Sequence, residues 1–74
     1  MNDSQIRELA KQYAERFDVD NGDSLNEFSE LVTWEVFPKA SERRGLRQIQ
    51  SHRYIFQNAV KAAVRELQKS GVKF

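Results

Sequence analysis

The sequence contains no cysteine, and it has only one proline, three glycines and one histidine among its 74 residues. Without cysteine there is no disulfide, no thiolate nucleophile and no sulfur-ligated zinc site. No apolar stretch approaches the roughly 18 residues that a membrane-spanning helix needs, and the first residues are polar rather than basic and then apolar. We therefore expect a cytoplasmic protein that does not use the membrane.

The composition is that of a small folded domain. Apolar residues make up 39% of the chain, charged residues 31% and aromatic residues 11%, which is close to the globular average. A chain this short is below the usual size of a domain, so residues 1–74 are expected to form a single domain with one core.

The net charge of +1 hides a strong division of charge along the chain. Residues 1–37 carry nine acids and three bases, whereas residues 38–74 carry nine bases and two acids. Such asymmetry is typical of proteins that bind nucleic acid or an acidic partner, although the two halves can also neutralise each other within the fold.

The first predicted helix, from about residue 4 to residue 17, is indicated by apolar residues that repeat at three and four. Asp3 or Ser4 can accept hydrogen bonds from the free N–H groups of its first turn. The residues of the apolar face are Ile6, Leu9, Ala10, Tyr13, Ala14 and Phe17.

A cluster of turn-forming residues at 18–23 predicts a loop, in which Asn21 and Gly22 tolerate a positive φ. Ser24 and Glu27 then form the pattern of a capping box, which indicates a helix start. Pro38 disfavours a helical conformation in the residue before it. A second helix is therefore expected from about residue 24 to residue 36.

The third predicted helix runs from about residue 46 to residue 69, again with apolar residues at intervals of three and four. It is either continuous or broken near Ser51, which could cap a new helix at this point. Gly71 is placed to end the helix in a left-handed conformation.

These elements predict an all-α fold, a compact bundle of three to four helices, because every apolar segment has helical rather than strand periodicity. The predicted core consists of Ile6, Leu9, Tyr13, Phe17, Leu25, Phe28, Val32, Ile49, Phe56, Val60 and Leu67.

The loop from Asp18 to Asp23 partly resembles the calcium loop of an EF-hand, because acids alternate along it. Counted from Asp18, however, Gly22 stands at position five rather than six and Glu27 at position ten rather than twelve. The bidentate glutamate is therefore missing, and we expect a capped loop without a metal.

The residues that catalysis requires are scarce. His52 is the single histidine, and its neighbours Ser51 and Tyr54 point in other directions on a helix. We interpret His52 as a half-buried packing residue and expect a protein that is not an enzyme, with no cofactor and no small-molecule substrate.

The basic half suggests a nucleic-acid interface. Arg43, Arg44 and Arg47 could anchor phosphates, while the third helix presents further polar residues to base edges. These presented residues are Arg53, Gln57 and Lys61. The hypothesis is a small regulatory module that binds nucleic acid, and DNA is the nucleic acid that we favour. The simpler interpretation is a solvated helix face that pairs with the acids of the second helix.

Trp34 and Phe37 support a different hypothesis, since both lie off the apolar stripe of the second helix. Tryptophan is prominent at the energetic centres of protein interfaces. The alternative function is therefore a protein-binding adaptor or inhibitor that uses these two residues as anchors. One version of this hypothesis is a homodimer. A structural explanation is equally open: the second helix could be central, with the first and third helices covering both of its sides.

Overall fold

The computed structural model describes residues 2–38 and 46–70, with side chains for residues 2–38 and 52–70. Three α-helices occupy these ranges: α1 is Asp3–Ala14, α2 is Leu25–Val36 and α3 is Leu46–Lys69. No strand occurs in them. The prediction of an all-helical, compact chain is confirmed.

The start of α1 differs from the prediction, because Asn2 rather than Asp3 or Ser4 is the capping residue. The Asn2 carboxamide oxygen accepts a hydrogen bond from the Gln5 N–H at 2.9 Å, and the Gln5 side chain accepts one from the Asn2 N–H at 2.9 Å. This reciprocal pair satisfies two donors at once, which favours a start one residue earlier.

The end of α1 also differs from the prediction, since the helix ends at Ala14 rather than at Phe17. The N–H groups of Arg16 and Phe17 bond to carbonyl groups three residues earlier, so the chain tightens into a turn. This turn places the Phe17 ring in the core, 5.3 Å from the Phe28 ring.

The loop before α2 has the predicted turn chemistry. The Asp18 carboxylate accepts hydrogen bonds from the N–H groups of Asp20 and Asn21, and Gly22 has φ +80°. The Ser24 hydroxyl then accepts a hydrogen bond from the Glu27 N–H at 3.5 Å, which is one arm of the predicted capping box. Ser24 is therefore the cap of α2, and the predicted helix bounds are confirmed to within one residue.

The third helix is continuous from Leu46 to Lys69, so Ser51 lies within α3 and does not begin a new helix. These bounds match the prediction. Gly71, the predicted stop residue, lies outside the described residues. In the part of the chain that is described, no helix is long and apolar enough to cross a membrane.

The central element is α3, which packs against both other helices, whereas α1 and α2 barely meet. The idea that the second helix is central, with the first and third helices on its two sides, is therefore wrong. One apolar cluster joins the three helices: Ile6, Ala10, Ala14, Phe17, Val32, Phe56, Val60, Ala63 and Val64.

The predicted core is confirmed at its centre and differs at its edge. The fully buried members of the prediction are Ile6, Phe17, Val32, Phe56 and Val60. The members that pack around this cluster with partial exposure are Leu9, Tyr13, Leu25, Phe28 and Leu67. The Ile49 side chain lies outside the described residues. Val64 and the small side chains of Ala10, Ala14 and Ala63 complete the cluster, and the size of the alanines allows helix backbones to approach closely.

Two hydroxyl residues of α2, Ser29 and Thr33, are buried as completely as the apolar core. The Ser29 hydroxyl donates to the Asn26 carbonyl oxygen at 3.0 Å, and the Thr33 hydroxyl donates to the Ser29 carbonyl oxygen. Because both groups are satisfied within α2, the helix buries them at little cost. The opposite face of α2, which carries Leu31 and Trp34, is consequently turned outward.

Candidate functional site

Five polar residues of α3 stand four positions apart and form one row along the helix, which we call the α3 ridge: Arg53, Gln57, Lys61, Arg65 and Lys69. Residues spaced by four are neighbours on a helix surface, and the row spans about 24 Å at a rise of about 1.5 Å per residue. Four of its five members are cationic.

The solvent exposure of the ridge side chains increases along α3. Arg53, Gln57 and Lys61 are half-buried, whereas Arg65 and Lys69 are exposed. This gradient follows from the helical period, because each step of four residues turns the row by about 40° away from the core. The ridge therefore carries four cations and one amide side chain, which become more exposed towards the end of α3.

The predicted nucleic-acid-binding residues divide into two groups. Arg43 and Arg44 lie outside the described residues, and Arg47 lies within α3 with its side chain undescribed. Arg53, Gln57 and Lys61 are brought together on the α3 ridge. Arg65 and Lys69 extend this row and were not among the predicted contact residues, although the spacing of four would have identified them.

The acids of the second helix were expected, in the simpler interpretation, to pair with the basic third helix. Among side chains of residues 2–38 and 52–70, the only ion pair instead joins Arg16, in the turn after α1, to Glu35 of α2 at 2.9 Å. Arg16 also donates a second hydrogen bond to the same carboxylate at 3.4 Å. The Arg16 guanidinium lowers the pKa of Glu35, and Glu35 raises the pKa of Arg16.

The outward face of α2 forms a shallow groove, which we call the α2 groove, lined by Glu27, Glu30, Leu31 and Trp34. Leu31 is 64% exposed and Trp34 is 40% exposed. Two large apolar side chains, about one turn apart, are thus presented to solvent on the same surface as two carboxylates. Trp34 was expected from the sequence to be accessible, but its neighbour Leu31 was not, because Leu31 flanks the apolar stripe of the helix.

The α3 ridge and the α2 groove meet at one contact. The guanidinium of Arg53 lies over the Trp34 ring, 3.8 Å from its centre. The Arg53 Nε is buried and has no hydrogen-bond partner among the described residues. Arg53 is therefore held by the indole ring rather than by a carboxylate.

Phe37, the other predicted anchor, lies in a different environment from Trp34. It is half-buried, with its ring 5.6 Å from Phe56 and 6.1 Å from His52. Phe37 thus packs against the core at the end of α2. The interpretation of His52 as a half-buried packing residue is confirmed by the same contact.

The acidic loop between α1 and α2 uses its carboxylates locally. Asp18 accepts hydrogen bonds from the Asn21 side chain and from two backbone N–H groups, and Asp23 accepts one from the Asp18 N–H. In the described ranges, no group of three or more histidine, aspartate or glutamate side chains is placed to hold a metal ion.

No protein-family profile, curated protein or solved structure matches the chain.

Proposed function

We propose that this chain is a small, non-enzymatic regulatory module that binds nucleic acid, and DNA in particular, through the basic half of a compact helical bundle. One observation carries the proposal: the four cations of the α3 ridge have no ion pair with any described carboxylate. Unpaired cations in a row are suited to the regular negative charges of a phosphate backbone.

The dimensions of α3 suit a duplex. An α-helix with side chains is about 10–12 Å across, and the major groove of DNA is about 12 Å wide. Lys61, Arg65 and Lys69 would contact phosphates, while the amide groups of Gln57 and Asn58 suit the edge of adenine. Both amide residues are at least partly exposed.

The arginines that precede the α3 ridge would add to the phosphate contacts. Arg43, Arg44 and Arg47 precede the ridge in sequence and supply three further cations. The acids of residues 1–37 would orient the approach, because their negative charge is repelled by the duplex while the basic half is attracted.

The first experiment is a titration of a fluorescently labelled random-sequence duplex, followed by anisotropy at about 50 and about 200 mM salt. We expect micromolar binding that weakens steeply at the higher salt, because each phosphate contact releases a counterion. Absence of binding at both salt concentrations would overturn the proposal and leave the protein-binding alternative centred on Trp34.

Single substitutions locate the contacts. Lys61→Ala and Arg65→Ala are each expected to weaken binding to all sequences and to reduce the salt slope by about 1. Arg44→Ala and Arg47→Ala should do the same. Lys11→Ala, an exposed change on α1, is the matched control and should leave the slope unchanged. Equal slopes for the α1 and α3 variants would place the contacts elsewhere.

A further inference from the structure

The α2 groove is an accessible surface that the nucleic-acid proposal does not use. Leu31 and Trp34 stand three residues apart on α2, and they are 64% and 40% exposed. Tryptophan at the centre of a protein interface contributes more than most residues, because its large apolar area is removed from water. An apolar pair of this kind indicates a protein partner.

The charges of this surface are separated along α2. Glu27 and Glu30 line the groove towards the start of the helix, and Arg53 lies over Trp34 towards its end. None of these three residues forms an ion pair among the described side chains. The groove thus has an acidic end and a basic end, with the apolar pair between them.

A surface with this order of charges is complementary to itself. In a two-fold contact both copies use the same surface. If one residue of the first copy contacts another residue of the second copy, the same contact occurs with the two copies exchanged. If the two α2 helices run antiparallel, the acidic end of each groove meets the basic end of the other. A parallel arrangement would place acid against acid, which costs free energy.

We propose that a second copy of this chain covers the α2 groove, forming a two-fold dimer with antiparallel α2 helices. Leu31 and Trp34 pack against the same residues of the other copy. Glu27 and Glu30 pair with the other copy's Arg53, whose guanidinium the Trp34 ring already holds in place. The exposed end of the α3 ridge, at Arg65 and Lys69, lies about 18 Å or more from Arg53 along the helix.

The mass in solution tests the dimer directly, in the absence of nucleic acid. Sedimentation velocity of the full chain at concentrations from about 1 to about 300 µM should show a rise from the 8.7 kDa of one chain to twice this mass. A mass of one chain at every concentration would overturn the proposal. Because no nucleic acid is present, this result is independent of the proposed function.

A matched pair of charge insertions localises the interface. Leu31→Glu places a carboxylate in the middle of the groove and is expected to abolish the dimer. Val19→Glu makes the same change at a 53% exposed position in the loop before α2 and should leave the dimer intact. Circular dichroism checks that both variants keep their helices. A Leu31→Glu protein that dimerises like the wild type would show that the groove is not the interface.

A charge exchange tests the antiparallel register. The Arg53→Glu variant and the double variant Glu27→Arg, Glu30→Arg should each be monomeric, and a mixture of the two should form a heterodimer. The double variant keeps both Trp34 and Arg53, so it remains informative if Arg53→Glu does not fold. If Arg53→Glu does not fold, the proposal is overturned by a double variant that still dimerises. If both variants fold, the proposal is overturned by a mixture that stays monomeric.

Discussion

The guanidinium carbon of Arg53 lies 3.8 Å from the centre of the Trp34 ring, and this contact joins α3 to α2 at the edge of the core. Cation–π contacts of arginine with tryptophan contribute about 0.5 to 2 kcal/mol, depending on how far the pair is removed from water. The contact fixes the first residue of the α3 ridge and covers one side of the most exposed aromatic side chain of α2. It therefore couples the two proposed binding surfaces.

Replacing Arg53 by alanine should lower the free energy of unfolding by about 1 kcal/mol, since the cation–π contact is lost. Arg53→Lys should fall between this variant and the wild type, because a lysine ammonium lacks the planar stacking group. Urea denaturation followed by Trp34 fluorescence, at one protein concentration, measures both effects. Arg65→Ala, at an exposed position of the same helix, is the control; an equal loss there would show that the stacking contact is not the cause.

Phe56 holds the three helices together, as its fully buried ring lies 5.9 Å from Tyr13 of α1 and 5.6 Å from Phe37 at the end of α2. Phe56→Ala should cost about 3–5 kcal/mol, which is comparable to the whole stability of so small a domain. We expect loss of the cooperative thermal transition by circular dichroism. The adjacent change Ile55→Ala, at a 36% exposed site, should keep that transition. A cooperative transition in Phe56→Ala would contradict the central role of the ring.

Gly22 adopts φ +80° in the loop before α2, and a Cβ added there would meet no atom within 4 Å. The cost of a substitution is therefore conformational rather than steric. Gly22→Ala should destabilise the protein by about 1 kcal/mol, and Gly22→Asn by less, since asparagine tolerates the left-handed region. Denaturant midpoints of the two variants measure the difference. Equal midpoints for alanine and wild type would show that the loop relaxes to another conformation.

The Arg16–Glu35 ion pair predicts a pH dependence of stability. Arg16 lowers the pKa of Glu35 in the folded state, so the stabilisation is present above the ordinary glutamate pKa of about 4.3 and is lost as the pH falls through the lowered value. Wild type should melt at a slightly higher temperature than Glu35→Gln at neutral pH, and this difference should disappear as the pH falls below the lowered pKa of Glu35. Glu8→Gln, an exposed change on α1, should show no such pH-dependent difference. If the difference in melting temperature between wild type and Glu35→Gln did not change with pH, the ion pair would not be its cause.

Local chemistry was enough to predict α2 and α3. Ser24 caps α2, and Pro38 follows its last turn, so both ends are set by residues adjacent to the helix. The continuity of α3 through Ser51 was undecided from sequence, because a serine is both a credible cap and an acceptable helix residue. The end of α1 was misplaced because Phe17 satisfies the helical period but reaches the core from a turn.

The contribution of small residues to the core could be seen only in the tertiary structure. Ala10, Ala14 and Ala63 are buried because helices approach each other there, and Ser29 and Thr33 are buried because α2 satisfies their hydroxyls internally. Hydrophobicity alone ranks these residues below Leu31, which is 64% exposed. Burial depends on which helix faces which, and a single helical period does not contain that information.

By itself the sequence determined the helices, the loop chemistry and the row of residues from Arg53 to Lys69, because each of these depends on spacing along one chain segment. Only the tertiary structure decided that α3 is central, that Arg16 rather than a base of α3 pairs with Glu35, and that Trp34 remains partly exposed beneath Arg53. These features depend on how whole helices are placed against one another. That placement reflects the total burial of the core and not the properties of any one segment.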